Sequence, residues 1–482
     1  MVQTTQTADV SASARVRDAF EKLLTAYEAE PAPTYEVRMD RLERLGLMLK
    51  QRQDDIVDAV RADYGNRSAH ETRIAEILMP LDQIRYLRKH LASWMKPRER
   101  HVSMTYKPAR AKVHYQPKGV IGIISPWNYP VTLTVSPMAA AIAAGNRVLI
   151  KPSEHTPRTS QLLKELFAQT FEPGLVDVVT GGVDVGQAFS SLPFHHLLYT
   201  GSTAVGKLVM KAAAENLVPV TLELGGKSPT IIHESYPLEK AANRIAWGKC
   251  TNSGQTCIAP DYVLVPNGQV NALVKALERQ VRDSYPSLAD NPDYTCVIDE
   301  RHHARLTKLR DDALAKGARA IEINPAAESF EGTTKIAPTL LLDVTDDMRV
   351  MQEEIFGPLL PIVSYERLDD AIDYVNARPR PLALYYFDDD RRRAQRVLER
   401  TVSGGAAINE TLLHFGIDDM PFGGVGPSGM GAYHGKEGFE TFSHAKAVLY
   451  QARLNATGLL SPPYGKLIDR MLGALIGPRW RV

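Results

Sequence analysis

The sequence contains little cysteine and no excess of charge of either sign. Three cysteines in 482 residues, Cys250, Cys257 and Cys296, are too few and too odd in number for a disulfide framework. This scarcity favours a reducing compartment and raises the question whether one of the three thiols is chemically active. Lysine and arginine number 57 against 56 aspartates and glutamates, so no overall field favours binding to nucleic acid or to a membrane.

Long apolar runs and targeting signals are also missing. The first twelve residues, MVQTTQTADVSA, have neither the cationic nor the apolar region of a secretory signal, and no run approaches the ~18 apolar residues of a membrane span. We therefore expect a cytoplasmic protein. With 44% hydrophobic and 23% charged residues, the composition is typical of a globular chain and excludes a disordered or fibrous one.

Motifs for metal binding and for serine hydrolysis are absent from the sequence. It has no H-E-x-x-H and no C-x-x-C pattern, and the histidine pairs at 195–196 and 302–303 lack the spacing of metal ligands. We therefore predict no metal site. The absence of G-x-S-x-G counts against a serine hydrolase of the α/β-hydrolase type.

The hydrophobic pattern changes near residue 113. Residues 12–98 have apolar positions at helical spacing, which predicts helices that pack on a core. Beyond residue 113, short β-branched runs alternate with helical stretches, including one at 135–144. The predicted strands span 120–124, 147–150, 176–179, 196–200 and 220–224. Such alternation predicts βαβ units, a parallel sheet and an α/β fold.

Polar residues and glycines cluster where these predicted strands end. The residues just beyond the carboxyl ends are Asn128, Lys151, Glu154, Gly201, Gly206 and Gly225. Ligands bind at this edge of an open α/β sheet, so residues 119–223 are predicted to bind a nucleotide. A carboxylate such as Glu154 suits a ribose diol there and repels the 2′-phosphate of NADP. A solvated surface pair is the alternative interpretation of Lys151 and Glu154.

Two glycine-rich segments are candidates for binding phosphates. The G-x-G-x-x-G pattern at 424–429 follows no strand and precedes no predicted helix, so it fails the structural test of a dinucleotide fingerprint. The segment from Gly201 to Gly206 lies between a predicted strand and a helix, whose N-terminal amides favour anions. We therefore place the phosphates at 201–206 and interpret 424–429 as a tight loop.

Cys257 and Glu223 are the candidates for chemistry. Cys257 follows five small or polar residues, a setting that gives a thiol access, whereas Cys250 is predicted to pack in the preceding helix and Cys296 has no activating neighbour. Glu223 lies inside an apolar strand, where a charge is costly unless it is used or paired. Such a buried carboxylate is a candidate general base, with a structural ion pair as the alternative.

The last segment, 446–482, differs from the rest of the chain in charge. It holds six lysines and arginines against one acid, Asp469, and apolar residues from Leu467 to Ile476 repeat at helical spacing. A basic amphipathic helix of this kind is able to lie on a membrane surface. Packing on the body of the protein or across a dimer is the interpretation that we favour.

Seven motifs resemble, in their order, those of the aldehyde dehydrogenase superfamily. They are 126–130 (PWNYP), 151–154 (KPSE), 201–207 (GSTAVGK), 222–227 (LELGGK), 254–257 (GQTC), 353–358 (EEIFGP) and 421–425 (PFGGV). The resemblance covers residues 15 to 445. The runs 255–262 (QTCIAPDY) and 429–435 (GMGAYHG) resemble the class 3 and fatty-aldehyde branch, within which the chain is most similar to the bacterial coniferyl aldehyde dehydrogenases.

This resemblance implies a reaction and roles for individual residues. The expected reaction is NAD(P)-dependent oxidation of an aldehyde to the acid, with Cys257 as nucleophile, Asn128 as oxyanion partner and Glu223 as the base that activates water. The cofactor residues that it implies are Trp127, Lys151, Glu154, Gly201, Ser202, Gly206, Leu224, Glu354 and Phe356. Glu154 predicts a preference for NAD, although the class 3 branch often accepts NADP.

The resemblance also implies a domain organisation. Residues 1–99 and 119–223 are expected to form a Rossmann-like NAD-binding domain, and residues 224–410 an α/β catalytic domain. Residues 100–118 and 411–445 are expected to form a small β oligomerisation arm and bridging segments, followed by the tail at 446–482. A homodimer is the expected assembly, with a tetramer as the alternative.

The expected substrate is an aromatic or hydrophobic aldehyde such as coniferyl aldehyde. Tyr129, Thr256, Ile258 and Phe415 are expected to line the aldehyde entrance, where no cation is present to hold a second carboxylate. This disfavours semialdehydes. Medium-chain and long-chain fatty aldehydes are the first alternative. A non-redox thiol acyl-transfer enzyme and a non-catalytic protein on the same scaffold remain open.

Overall fold

The computed structural model describes residues 11–455 and 457–477, and its first part is helical. The helices are α1 (Ala12–Ala29), α2 (Tyr35–Gln51), α3 (Gln53–Tyr64), α4 (Ala69–Thr72) and α5 (Met79–Trp94), with a π-helical turn at Arg73–Leu78. Ser11 and Thr34 cap the first two helices by accepting hydrogen bonds from backbone N–H groups three residues on. The helices predicted for 12–98 are confirmed, and residues 1–10 lie outside the described residues.

The next part of the chain alternates strands and helices. In chain order these are β1 (Arg98–Arg100), β2 (Arg110–Pro117), β3 (Val120–Ile124), α6 (Thr132–Ala143), β4 (Arg147–Lys151), α7 (Pro157–Thr170), β5 (Val176–Val178), α8 (Val183–Ser190), β6 (His196–Thr200), α9 (Thr203–Ala214) and β7 (Val220–Glu223). The five strands predicted between residues 120 and 224 are present, each with ends within one residue of the prediction. Strands β3 to β7 pair in parallel, which confirms the predicted α/β arrangement.

Helix α6 begins three residues before its predicted start because a distant side chain caps it. Glu76, in the π-helical turn, accepts hydrogen bonds from the backbone N–H groups of Val131 (3.0 Å) and Thr132 (2.8 Å). Glu76 is itself fully buried and lies 3.4 Å from Arg67. Since the cap comes from a residue more than fifty positions away, the local sequence pattern carries no signal for it.

The remaining elements complete a second sheet and a third, smaller one. They are β8 (Pro229–Ile232), α10 (Leu238–Cys250), β9 (Tyr262–Pro266), α11 (Val270–Ser284), α12 (Glu300–Ala315), β10 (Arg319–Glu322), β11 (Thr339–Leu342), α13 (Arg349–Gln352), β12 (Leu359–Tyr365), α14 (Leu368–Asn376), β13 (Ala383–Phe387), α15 (Arg391–Arg400), β14 (Gly405–Ile408), β15 (Gly429–Met430), α16 (Gly435–Thr441), β16 (Ser443–Tyr450) and α17 (Lys466–Ile476). Cys250 lies buried at the end of α10, as predicted, and Cys296 is buried too.

Three sheets organise the described residues. The first has the order β15-β7-β6-β3-β4-β5, with only β15 antiparallel to its neighbour. The second has the order β10-β11-β12-β9-β8-β13-β14, with only β10 antiparallel. The third is the antiparallel sheet β1-β2-β16, whose outer strand β16 is mostly exposed. The carboxyl ends of the parallel strands in the first sheet carry most of the residues singled out from the sequence.

Two of the expected segment boundaries do not follow the strands. The boundary between residues 445 and 446 is wrong as a division, because β16 runs continuously across it and pairs with β2 over eight residues. The segment 411–445, expected to form the arm and bridging segments, also supplies β15 to the first sheet, where Gly429 pairs with Glu223. The continuity of β16 and the position of β15 both depend on pairing with strands that are distant in sequence. Composition does not reveal such pairing.

The C-terminal segment forms the predicted amphipathic helix, α17. None of its residues is buried, and Leu467, Leu475 and Ile476 are 58%, 62% and 78% exposed. Packing of this helix on the body of the same chain, one of the interpretations offered above, is therefore wrong. Residues 478–482 of the predicted tail lie outside the described residues. Among the residues that the structure describes, no helix is both long and apolar enough to cross a bilayer.

Candidate active site

Cys257 lies on a tight loop that follows α10. The loop begins with a 3₁₀ turn at Thr251–Gly254, in which Asn252 and Ser253 have left-handed backbone angles (φ 50° and 52°). Gly254 is also left-handed (φ 71°), and a β-carbon there would lie 2.4 Å from the carbonyl oxygen of Gly357. Only glycine fits this position without displacing the neighbouring backbone. The small residues before Cys257 are therefore explained by the close packing of the loop.

Gln255 holds the loop against the neighbouring chain. Its side-chain amide donates hydrogen bonds to the carbonyl oxygens of Asn252 and Cys296 (2.9 Å each) and accepts one from the N–H of Ile298 (2.9 Å). The side chain is fully buried. Because all three of its hydrogen bonds go to backbone groups, Gln255 fixes the path of the chain two residues before Cys257.

Cys257 lines two cavities that meet at its side chain. One is bounded by the carboxyl ends of the first sheet and by the 353–356 segment of the second part of the chain. The other is an apolar cavity that opens between the N-terminal helices, α10 and the 412–415 segment. A nucleophile at the junction of two cavities is accessible to a different ligand from each side. The half-buried thiol fits this requirement, whereas Cys250 and Cys296 are buried.

The surroundings of Cys257 disfavour its thiolate form. Burial, with Glu354 and Glu223 nearby, raises the pKa of Cys257 to about 12. The backbone N–H groups of Cys257 and Ile258 act in the opposite direction but are outweighed. Formation of the thiolate therefore requires a further positive charge or a proton acceptor near the sulfur.

Glu223 is the last residue of β7 and is buried without a partner. Only 4% of its surface is exposed, and neither carboxylate oxygen has a hydrogen-bond partner in the part of the chain that the structure describes. Burial raises the pKa of Glu223 well above its usual value. The structural ion pair weighed above is absent from the described residues. An unpaired acid of this kind beside a nucleophile is suited to general-base chemistry.

Asn128 is buried just beyond β3, with its side-chain amide next to the loop of Cys257. Its Nδ2 donates a hydrogen bond to the carbonyl of Gln255 (3.2 Å), which leaves the second amide hydrogen for another acceptor. The carbonyl of Asn128 accepts hydrogen bonds from Arg67 (2.8 Å) and from the hydroxyl of Tyr64 (3.2 Å). Hydrogen bonds thus fix both the side-chain amide and the backbone carbonyl of Asn128.

Arg67 is a positioning residue that the sequence did not reveal. It is fully buried, and its guanidinium lies 4.9 Å and 4.8 Å from the ring centroids of Tyr64 and Tyr129. Together with its bond to Asn128 and its pairing with Glu76, it joins the N-terminal helices to the site. The N-terminal helices were interpreted as packing alone, and no local motif marks Arg67 as different.

Six of the nine predicted cofactor residues line the first cavity. They are Trp127, Gly201, Ser202, Leu224, Glu354 and Phe356. Lys151 and Glu154 do not line it but form an ion pair with each other (2.5 Å). Gly206 lies behind it in α9, where a β-carbon would come within 2.7 Å of the side chain of Leu224. Gly225, predicted at the ligand edge of the sheet, also lines the cavity. The sequence missed other lining residues, among them Leu133, Thr200, His302, Arg305 and Glu353.

The first cavity has features that fit a dinucleotide. Ser202 caps the N-terminus of α9, where backbone N–H groups and the helix dipole favour phosphate. Glu354 has a buried carboxylate oxygen without a hydrogen-bond partner among the described residues, and burial raises its pKa to about 8. Such an acceptor suits a ribose hydroxyl. A β-carbon at Gly225 would lie 2.0 Å from the carboxylate of Glu354. Any larger residue at position 225 would therefore displace this carboxylate.

All four predicted substrate residues line the apolar cavity. Tyr129, Thr256, Ile258 and Phe415 surround it together with Cys257, and the hydroxyls of Tyr129 and Thr256 are hydrogen bonded (2.8 Å). The lining residues that the sequence missed are Glu71, Ile74, Ala75, Met79, Thr132, Leu133, Trp247, Thr251, Leu412 and Leu413. Among the described residues, Glu71 is the one charged side chain in this lining.

A cavity suited to a dinucleotide and an apolar cavity, joined at a cysteine, define a cysteine-dependent oxidoreductase. The family model of the aldehyde dehydrogenase family matches residues 2–448, so the chain belongs to this family. It therefore oxidises an aldehyde to the acid with NAD or NADP through a cysteine thiohemiacetal and thioester. The family match favours this reaction over the non-redox acyl-transfer and non-catalytic alternatives.

Several curated relatives and solved structures are similar over nearly the whole chain. A probable coniferyl aldehyde dehydrogenase of Pseudomonas aeruginosa is 54% identical over 454 residues, 94% of each chain, and a coniferyl aldehyde dehydrogenase of a Pseudomonas species is 49% identical over 461 residues, 95% of each. The substrate-bound AldH of Staphylococcus aureus has a TM-score of 0.90 at 39% identity, covering 96% of this chain and 99% of that one. Betaine aldehyde dehydrogenase from Staphylococcus aureus in complex with NAD⁺ has a TM-score of 0.84 at 27% identity, covering 94% and 90%.

Proposed function

We propose that this aldehyde dehydrogenase oxidises aromatic or hydrophobic aldehydes, coniferyl aldehyde among them, with Cys257, Asn128 and Glu223 as its catalytic residues. The observation that carries the proposal is the position of Cys257 at the junction of the two cavities. The similarity to coniferyl aldehyde dehydrogenases of Pseudomonas supports this substrate. Fatty aldehydes are the second candidate, because the runs 255–262 and 429–435 resemble the class 3 and fatty-aldehyde branch.

The reaction begins at the sulfur of Cys257. The thiol loses its proton to water and the sulfur bonds to the aldehyde carbon, which turns the carbonyl oxygen into an oxyanion. The second amide hydrogen of Asn128 and the backbone N–H of Cys257 donate to that oxyanion. Ser202, Glu354 and Phe356 would hold NAD(P)⁺ in the first cavity, where it would supply the acceptor for the hydride of the thiohemiacetal carbon and a positive charge that favours the thiolate. The product on Cys257 is a thioester.

Release of the acid requires a water molecule and a base. Glu223 accepts a proton from water as the water oxygen attacks the thioester carbon, and the carbon–sulfur bond then breaks to regenerate Cys257. Aldehyde, NAD(P)⁺ and water thus give acid, NAD(P)H and one proton. Because Glu223 has no hydrogen-bond partner among the described residues, its oxygens are available to a water molecule in the cavity.

A panel of aldehydes tests the substrate class. We expect kcat/KM for coniferyl aldehyde to exceed that for succinate semialdehyde by on the order of 10²-fold, because the distal carboxylate meets an apolar lining that offers it no cation among the described residues. Comparable values for the two would contradict the proposal. A value for hexanal well above that for coniferyl aldehyde would favour the fatty-aldehyde alternative.

The cofactor is proposed to be NAD, with Lys151 and Glu154 at the adenosine ribose. Glu154 is the group that would repel a 2′-phosphate. Glu154→Gln is expected to raise kcat/KM for NADP relative to NAD by about tenfold, because the substitution removes this repulsion and keeps the shape. Glu165→Gln, at an exposed position of α7, is the control and should leave the ratio unchanged. An unaltered ratio in both variants would contradict the assignment of Glu154.

We also propose that the chain forms a homodimer in the cytoplasm and that the sheet β1-β2-β16 takes part in the contact. Exposed Leu449 and Tyr450 on β16 support this, and the three free cysteines fit a reducing compartment.

The apolar face of α17 supports contact with a second copy, with a membrane surface as the alternative. Light scattering and liposome flotation of chains with and without residues 454–482 test the role of the tail. No change in mass or in flotation would contradict both roles.

A further inference from the structure

A second cluster of chemically active side chains lies beside the cofactor cavity. His155 follows β4, in the loop before α7, while Asp299 precedes α12 and His302 lies in the first turn of that helix. The fold therefore brings together groups that are 144 positions apart. Each of the three offers one ligand atom, and these atoms all lie within 4.8 Å of one another. No step of the proposed reaction uses this cluster.

One carboxylate lies between two imidazoles in this cluster. Nδ1 of His155 is 2.9 Å from one oxygen of Asp299, and Nδ1 of His302 is 2.7 Å from the other. The two imidazole rings are nearly perpendicular, with centroids 5.2 Å apart. The three side chains are 22–32% exposed, so an ion from solvent can reach them.

The donor set has the composition of a zinc site. Two imidazole nitrogens and a carboxylate oxygen are ligands that Zn²⁺ prefers, and three protein ligands with one open position are a common arrangement. We propose that His155, Asp299 and His302 bind one divalent transition-metal ion of the zinc type at the rim of the cofactor cavity. The ion replaces the two imidazole–carboxylate hydrogen bonds and links the loop after β4 to α12.

Spacing in the sequence did not reveal this site because its ligands come from separate parts of the chain. The adjacent histidine pairs at 195–196 and 302–303 lack the spacing of metal ligands. Of these residues only His302 belongs to the cluster. Its partner His155 lies one residue beyond the KPSE motif, and its partner Asp299 is the N-cap of α12, three residues before His302. No metal-binding sequence pattern combines these positions.

Cobalt is a suitable probe because four-coordinate Co²⁺ absorbs visible light, whereas Zn²⁺ does not. The full-length protein, stripped with a chelator, is titrated with Co²⁺ alone, and Zn²⁺ is then added to displace it. The titration is repeated in Cys257→Ser, so that a cobalt–thiolate complex at the catalytic cysteine is recognised. We expect one equivalent of Co²⁺ with a visible band in both proteins and loss of the band on addition of Zn²⁺.

Three variants locate the site. His155→Asn and Asp299→Asn are expected to weaken Co²⁺ binding by about 10-fold to 100-fold. The second keeps a good N-cap for α12, because asparagine caps helices as well as aspartate does. His303→Asn, which alters the neighbouring histidine of the same helix, should bind Co²⁺ as the unaltered protein does. Thermal unfolding confirms that each variant is folded.

Three results would overturn the proposal. They are the absence of a stoichiometric band, equal Co²⁺ affinity in His155→Asn and His303→Asn, and a band that disappears in Cys257→Ser. The proposed oxidation of aldehydes does not depend on the outcome, since none of the three variants alters Cys257, Asn128 or Glu223.

Discussion

Replacement of Cys257 by alanine is expected to abolish aldehyde-dependent formation of NADH, with a loss on the order of 10⁴-fold or more. The thiol is the group common to the two cavities that is able to form the covalent intermediate. Absorbance of the reduced cofactor measures the effect directly. A variant that keeps a substantial fraction of the activity would show that the aldehyde is oxidised without this thiol.

Two variants serve as controls for Cys257→Ala. Cys296→Ala removes a buried thiol outside both cavities and should retain activity. Asn128→Ala keeps the nucleophile and removes one oxyanion donor, so we expect an intermediate loss of about 10²-fold to 10³-fold in kcat. Thermal unfolding and NAD binding, measured for all three, separate a loss of chemistry from a loss of fold. Equal losses in Asn128→Ala and Cys257→Ala would contradict the separate roles.

Replacement of Glu223 by glutamine is expected to slow steady-state turnover by about 10²-fold to 10⁴-fold while leaving the first-turnover burst of NADH intact. Glutamine has the same shape but cannot accept the proton of the attacking water. Because the side chain makes no hydrogen bond within the described residues, the substitution breaks none of them. Rapid mixing with excess aldehyde and NAD measures both phases. Loss of the burst would show that Glu223 is not mainly the base for thioester hydrolysis.

The pH dependence of turnover distinguishes a base from a structural carboxylate. Burial raises the pKa of Glu223 well above its usual value, so the group is protonated over a wider range of pH than an exposed glutamate. Only the deprotonated form accepts a proton from water. Thioester hydrolysis in the unaltered protein should therefore become faster as the pH rises through this pKa, and Glu223→Gln should lose that rise. An identical profile in both proteins would contradict the assignment.

Local sequence patterns predicted the first sheet and the position of its ligand edge. Short β-branched runs followed by glycine or polar residues mark the ends of β3, β4, β6 and β7, since a parallel strand is buried on both faces and must stop where the chain turns. The small residues before Cys257 and the lone charge of Glu223 were likewise local features. The first feature marked the loop of the nucleophile, and the second marked a buried carboxylate in an apolar strand.

Contacts between distant segments could not be predicted in this way. Arg67 lies in the loop between α3 and α4, and Glu71 lies in α4, within a region whose apolar spacing indicates packing. Yet Arg67 holds Asn128 and Glu71 lines the aldehyde cavity. Glu76 caps a helix more than fifty residues away. The cluster of His155, Asp299 and His302 depends on the approach of α12 to the loop after β4. These features follow from tertiary packing, on which a local pattern has no bearing.

The most direct test of the central claim is the mass of the protein after a single turnover. Glu223→Gln is mixed with coniferyl aldehyde and NAD, quenched in acid, digested, and analysed by mass spectrometry for an acyl group. The proposed mechanism predicts one acyl group per chain, bound to the peptide that contains Cys257 and formed in step with the NADH burst. A burst of NADH without an acyl group on Cys257, or with the group on another residue, would contradict it.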